Sequence, residues 1–432
     1  MSTESLVRPG LTTPYVGSLP EIKLRLRKKV PKLTANDVRR ARILYYEAIA
    51  SELYEEGFVN GAFLLLHLIE YEDANVGRTS YASVEGRRLR NNEKLLNYLG
   101  GALASAEGRK REQEYEREVS ELLAIARHLE PDQEKRWLAR QFFLIALDRC
   151  VDCGTGSRVK IESLVRYYFA KFQIDQQRYL VPMKMLEQAD EDLDSLEAGG
   201  DEAENCKTLE EDGESLSIAI NSLLFVCNRK LAEETAASPA WMAEQYIRDA
   251  HKAALKTFKT SIMAESYQAY GDYLAKKGSL EEALQMYRDG LQQAELNGEM
   301  QDLACSVALA QAVCYHKLGQ LVKCDSMLRR VDRMTKSSEH SLNRGHYYLT
   351  SAILQQENAK ADNVQMLQLM EQLCMAAQIF EQFGRMDKSL EARCLEGLLR
   401  AEPSFAEYAN LFPSAISTSD EALYRVIDRV GF

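Results

Sequence analysis

Apolar residues recur every three or four positions along most of this chain, and the clearest case is residues 264–291, AESYQAYGDYLAKKGSLEEALQMYRDGL. That period predicts two amphipathic helices, the first over 264–277 and stopped at Gly278-Ser279. Ser279 then opens the second helix as its cap, with Glu282 three residues on as the capping-box partner. Small residues stand where two such helices must touch: Gly271 on the first, Ala283 and Gly290 on the second. Tyr267, Tyr270, Leu274, Leu284 and Tyr287 supply the bulk around them. A side chain larger than a methyl group at position 283 would push the backbones apart, since packed helices sit about 8–10 Å apart.

The same rhythm runs before and after this pair. Upstream, Thr34 with Asp37 signals a helix start, and Leu44, Tyr45, Ala48, Ile49 and Leu53 form an apolar face that ends before Gly57. Further helices are predicted over 59–71, with a break at 73–79, and over 87–105 and 112–129. The chain restarts at Pro131-Asp132, where Trp137, Leu138, Phe142, Phe143 and Ala146 line one side, and Gly154-Thr155-Gly156-Ser157 reads as a turn with Ser157 as cap. A looser hairpin follows over 161–175 and 177–189, then helices over 214–234 and 240–258, the latter opened by Ser238-Pro239. Downstream, 302–318 with 321–334 repeats the pattern, and Gly319 lies 41 residues after Gly278, which sets the period. Ala312, Cys324 and Leu328 take the small, small and bulky positions of that pair. A third pair, 341–357 with 364–383, is looser still, 387–400 would close the stack, and 421–430 reads as one last short helix.

Helix pairs of this spacing resemble the tetratricopeptide repeat, a helix–turn–helix unit of about 34 residues. Gly271, Gly278, Ala283, Tyr287 and Gly290 fit its small, turn and aromatic positions one by one, whereas Glu295 stands where a helix-ending proline is usual, so the second helix is expected to run on towards Asn297-Gly298. The fold class expected is all-α, a right-handed α-solenoid of helix hairpins with elongated helices. Composition agrees: 46% of residues are hydrophobic, and 9 Pro and 23 Gly in 432 residues leave few breaks in long helices.

Charge divides the chain. Residues 187–214 hold thirteen acids and one lysine, which accounts for the net −11 and leaves the remainder near neutral. Residues 1–32 carry seven Lys/Arg against two Glu, with four prolines and no helical period. The expected organisation is therefore a disordered basic tail (1–32), degenerate N-terminal hairpins (33–190), a flexible acidic insertion (191–213), the regular repeats (214–402) and a C-terminal cap or tail (403–432). The basic tail is a solvated leader or, through the run from Lys23 to Lys29, a contact for a microtubule surface or nucleic acid; the acidic stretch is a spacer, a bait for a basic partner or a carboxylate cluster for calcium, the last without the fixed alternation of a binding loop. A balance this acidic gives no support to polyanion binding by the chain as a whole.

No apolar run reaches the roughly 18 residues that a membrane span needs. No apolar signal region opens the chain, so a cytoplasmic protein is expected. Nine scattered cysteines read as reduced core residues. Cys150-Val-Asp-Cys153 is a lone CxxC at a helix end, without the two further ligands that zinc needs or the helix start that a redox pair favours. Six histidines are dispersed, no phosphate-binding glycine loop or nucleophile elbow occurs, and no catalytic residue, cofactor or metal site is predicted.

What remains is surface. The first helices of stacked pairs line a groove that binds polypeptide, and Gln268 and Asp272 in one unit, with Leu309 and Val313 in the next, hold the positions predicted to face it. Repeats that clamp the carboxyl end of heat-shock chaperones need Lys and Asn there, so an acidic and apolar lining is expected to repel or ignore a carboxylate.

The order of features also resembles the axonemal tetratricopeptide repeat proteins of motile cilia and sperm tails. It is carried by Leu95-Leu96-Asn97-Tyr98-Leu99 before a hairpin, and by Glu134-Lys135-Arg136-Trp137-Leu138-Ala139-Arg140 opening a helix that ends at Asp152-Cys153-Gly154. The Leu-rich helix over 216–231 and the elongated repeats around Gly278 and Gly319 continue it. The acidic insertion and the loose 161–189 hairpin depart from that pattern. The resemblance implies a non-enzymatic scaffold located in the cytoplasm and the ciliary axoneme. It would assist docking or transport of axonemal dynein, partnering dynein components and intraflagellar transport proteins close to the microtubule. The alternative is a general cytoplasmic adaptor, like a motor light chain or a signalling scaffold.

Overall fold

A computed structural model describes residues 34–75, 88–198, 208, 213–235, 240–296, 300–336, 341–359 and 363–416. The basic tail, most of the acidic stretch between 199 and 212, the Ser238-Pro239 opening, Asn297-Gly298 and the 421–430 helix lie outside the described residues. Among the described residues the regular structure is helical, seventeen α-helices with three short 3-10 turns, and it divides into two units at Ile161/Glu162.

The first unit holds α1 (Ala35–Arg42), α2 (Tyr45–Glu55), α3 (Val59–Asn75), α4 (Glu93–Arg111), α5 (Tyr115–Leu129) and α6 (Arg136–Arg149), each packed on its neighbour in sequence, with α3 on α4 as well as α2. Thr34 and Asp37 form the capping box of α1, the Thr34 hydroxyl accepting from the Asp37 N–H at 3.2 Å and the Asp37 carboxylate accepting from the Thr34 N–H at 2.7 Å. The apolar face predicted up to Gly57 is interrupted at Ile43-Leu44. The helix stops at Arg42 and restarts at Tyr45, and Leu44 is exposed rather than on the inner face. Ala48, Ile49 and Leu53 are buried as the period requires. The fourth helix begins at Glu93 and not near 87, because the Asn92 side chain accepts from the Leu95 N–H and caps it there. Its Gly100 lets α2 approach: a Cβ at that position would stand 2.9 Å from Ile49 Cγ2. Leu138, Phe142, Phe143 and Ala146 are buried on α6, and Trp137, half-buried, stacks on Tyr71 with ring centroids 5.9 Å apart.

A seventh helix, α7 (Thr155–Ile174), contains the division between the units. Gly156 and Ser157 fall in its first turn, so the turn predicted at 154–157 is a helix start, with the Gly154 carbonyl accepting from the Arg158 N–H at 2.7 Å.

The second unit continues with α8 (Leu180–Ala198), α9 (Leu216–Glu234), α10 (Ala240–Lys256), α11 (Thr260–Lys277), α12 (Leu280–Leu296), α13 (Gln301–Lys317), α14 (Leu321–Thr335), α15 (Leu342–Ala359), α16 (Asn363–Gln382) and α17 (Met386–Ile416). From α8 onwards each helix packs on the next, and α9 on α11, α11 on α13 and α13 on α15 also touch. Neighbour-by-neighbour packing with first helices in contact along one side is the arrangement of an α-solenoid. Two turns show how it is cut from sequence. Gly278 and Gly319 end α11 and α13 with φ of +94° and +70°, a left-handed conformation that costs a side-chain-bearing residue about 1 kcal/mol or more.

The acidic insertion predicted to begin at 191 is corrected by this unit. As far as Ala198 it is the end of α8, and Asp192 and Asp194, with Asp190 just before them, have partners on other helices. Arg166 binds Asp192 at 2.6 Å, Lys256 binds Asp190 and Asp194 at 2.6 and 2.9 Å, and Asn221 donates to Asp190 at 2.6 Å, while Leu193 is buried. Two further expectations change. The tenth helix stops at Lys256, so Phe258, at φ +53°, projects into solvent at 82% exposure. The seventeenth does not end near 400: it runs past Pro403 and Pro413 to Ile416, across the backbone hydrogen bond that each proline removes. Of the eight cysteines described, six are buried and Cys374 and Cys394 are exposed, which amends the expectation that all are core residues.

Candidate functional site

Within the second unit, the contact between α11 and α12 is built on absent side chains. A Cβ on Gly271 would lie 2.6 Å from Cε1 of Tyr287, and one on Gly290 would lie 2.9 Å from Cβ of Tyr267. Ala283 is fully buried beside them. This close approach lets the Tyr287 ring, 2% exposed, lie across α11 and donate its hydroxyl to Asp272 Oδ1 at 2.6 Å. Burial pushes the Asp272 carboxyl above the usual range, against the opposing effects of the Tyr287 hydrogen bond and of Lys276. Burial also pushes the Tyr287 hydroxyl upwards, so it keeps its proton and remains a donor. The next pair repeats the arrangement with Ala312, Cys324 and Leu328 buried between α13 and α14.

Asp272 marks the edge of a cleft of about 310 Å³ whose walls are α11 (Ala275, Lys276), Tyr287 of α12, and α13 (Ala310, Val313, Cys314, Lys317). Val313 and Lys317 also line a second cleft, of about 490 Å³, which continues over α15 (His346, Leu349, Ile353) to Lys388 and Glu391 of α17. The two clefts thus form one row across α11, α13 and α15, each the first helix of its pair, and on to α17, which follows the last pair.

The four positions predicted to line this groove separate. Asp272 and Val313 line it. Gln268 does not, being half-buried against α12, where its backbone N would lie 3.7 Å from a Cβ at Gly290. Leu309 does not either: it is 7% exposed and belongs to the core. The physical reason is that α13 touches α11, α12, α14 and α15, so nearly all round it is inside. The predicted acidic and apolar lining is corrected too. Lys276 and Lys317, each one turn beyond a predicted position, bring exposed cations to the same cleft, and among the described residues neither forms an ion pair. The four-residue offset from 272 and 313 was the available signal.

Elsewhere the chemistry is quiet. The Cys150 thiol is buried and donates to the Ala146 carbonyl at 3.2 Å, and burial pushes Cys153 up, the reverse of an activated thiol. Burial holds the Cys227 thiol at about 12 and Cys305 at about 11. Among the described residues no group of three His, Cys, Asp or Glu is placed to hold a metal ion, and no helix is long and apolar enough to cross a membrane. In the first unit, a separate cleft of about 480 Å³ between α2 and α3 exposes Tyr54 and Phe63 at 61% and 64%, a feature that sequence reading missed.

The Asp272–Tyr287 pair gives a testable outcome. A carboxyl whose folded pKa is raised stabilises the fold below its unfolded pKa, and that contribution is lost as pH rises through the folded value. Asp272→Asn keeps an acceptor for the tyrosine and removes the buried charge. Urea denaturation is expected to show the variant more stable than the parent at pH 8 by roughly 0.5–1.5 kcal/mol, with the difference shrinking towards pH 4.

No protein family and no curated protein matches the chain. Solved structures that resemble it include the apo form of RapI, at 11% identity and a TM-score of 0.41 over 83% of this chain and 98% of that one. Aspartyl phosphate phosphatase F from Bacillus subtilis matches at 12% and 0.36 over 86% and 96%. The Rap conjugation gene regulator of the plasmid pLS20, in complex with the Phr* peptide, matches at 12% and 0.30 over 83% and 94%. None reaches a TM-score of 0.5, and the functional reading rests on the clefts alone.

Proposed function

We propose that the chain is a protein-binding helical-repeat adaptor that holds a segment of a partner polypeptide and carries out no bond chemistry itself. The observation that supports this reading most is the continuous row of clefts over α11, α13, α15 and α17, with Val313 and Lys317 common to both. Such a surface offers length and several side-chain pockets, which suits a segment of chain better than a small molecule. The test is recovery of interactors with the parent protein and with Val313→Arg/Ile353→Arg, two substitutions on the groove surface. The reading expects a defined set of partners to be lost from the double variant and also from Ile353→Arg alone, whose 37%-exposed position leaves the melting curve unchanged. An interactor set indifferent to both substitutions would remove the groove from the binding function.

A narrower reading places that adaptor in the axoneme of motile cilia or sperm flagella, assisting docking or transport of axonemal dynein with dynein and intraflagellar transport components as partners. Its support is the sequence resemblance carried by residues 95–99, 134–140 and 152–154. Tagged protein excluded from motile cilia, with beating intact after its loss, would leave the general cytoplasmic adaptor as the reading.

A further inference from the structure

We infer that the groove of the second unit receives an acidic internal segment of the partner, its side-chain carboxylates set against Lys276 and Lys317 and its apolar side chains against Val313 and Ile353. This deepens the adaptor reading and rests on it. The charge balance of the groove is opposite to that of the chain, whose net charge is −11. Its two carboxylates are already engaged: Asp272 accepts from Tyr287, and Glu391 binds Lys388 at 2.7 Å. Lys276 and Lys317 are left facing the clefts with no ion-pair partner among the described residues. Charge complementarity then selects a partner that brings carboxylates of its own.

The placement also selects the kind of acidic ligand. Lys276 and Lys317 come one each from α11 and α13, spaced along the row of clefts. A chain-terminal carboxylate presents its charge at one point, whereas an acidic segment presents charges at intervals, as these lysines do. Val313 and the 37%-exposed Ile353 lie among them, so apolar side chains between the acids have contacts to make. Nucleic acid is the poorer fit, since neither an arginine nor an aromatic stacking platform lines the second cleft.

Fluorescence anisotropy at low salt decides the matter with an amidated, labelled peptide alternating Glu and Leu, compared with its Glu→Gln and Glu→Lys counterparts and with the same peptide carrying a free carboxyl terminus. The expected result is binding of the acidic peptide, weakened about tenfold by the Gln version and again by Lys317→Glu in the protein, and indifferent to amidation. Lys276 and Lys317 are solvent-exposed, so their substitution leaves the fold in place and circular dichroism verifies it. Equal binding of the Gln peptide, abolished by Val313→Arg, would overturn the acidic preference and leave the groove reading standing. Dependence on the free terminus would replace the internal segment by a chain end. Binding of none of the peptides, or binding untouched by both Lys317→Glu and Val313→Arg, would overturn the inference and the groove reading together.

Discussion

Gly271→Val is expected to lower the stability of the second unit by about 3 kcal/mol or more, read as a shifted urea midpoint. The first added carbon would fall 2.6 and 2.8 Å from two ring carbons of Tyr287. That ring has nowhere to go: it is 2% exposed and tied through its hydroxyl to Asp272 at 2.6 Å. The sign of the smaller substitution separates two effects. On helix propensity alone Gly271→Ala would stabilise by about 1 kcal/mol, while overpacking costs about 1–3 kcal/mol. Net destabilisation by alanine is therefore expected, and Tyr287→Leu in the same chain should recover about 1 kcal/mol of it as a coupling energy. An alanine variant more stable than the parent would mean that the two helices do not meet at this glycine.

Ala283→Arg is expected to be comparably severe, losing about 3–5 kcal/mol. It adds volume and a charge where the methyl group is fully buried. Glu281, two residues away on the exposed side of the same helix, is the control: Glu281→Ala should stay within about 0.5 kcal/mol of the parent. An Ala283→Arg protein that melts like the parent would place that methyl group in solvent and dismantle the packing of α11 on α12.

These two positions were legible in the sequence because the signals that mark them are local. A glycine in a helix has no propensity to recommend it, so Gly271 and Gly290 announce close approach, and Gly278 and Gly319 announce left-handed turns. What escaped depended on partners distant in sequence. The run from Asp190 to Asp194 reads as solvated by composition, yet Arg166, Asn221 and Lys256 each supply it with a hydrogen bond from another helix. Leu309 reads as groove-lining until the neighbours of α13 are counted on every side. The break at Ile43-Leu44 carries neither glycine nor proline, and so no signal that a periodicity argument can use. The groove itself was half visible: Asp272 and Val313 were placed by repeat spacing, whereas the lysines that set its charge lie one turn further along the same helices.

Site-directed photocrosslinking tests the central claim most directly. A benzoylphenylalanine at position 313, in the shared wall of the two clefts, is compared with one at Val322, which is 85% exposed at the start of α14 and outside both clefts. The account predicts that position 313 captures one defined acidic segment of a partner, located by mass spectrometry, and that position 322 does not. Capture at 322 of the same segment in equal yield, or none at 313 while the partner is bound, would contradict it.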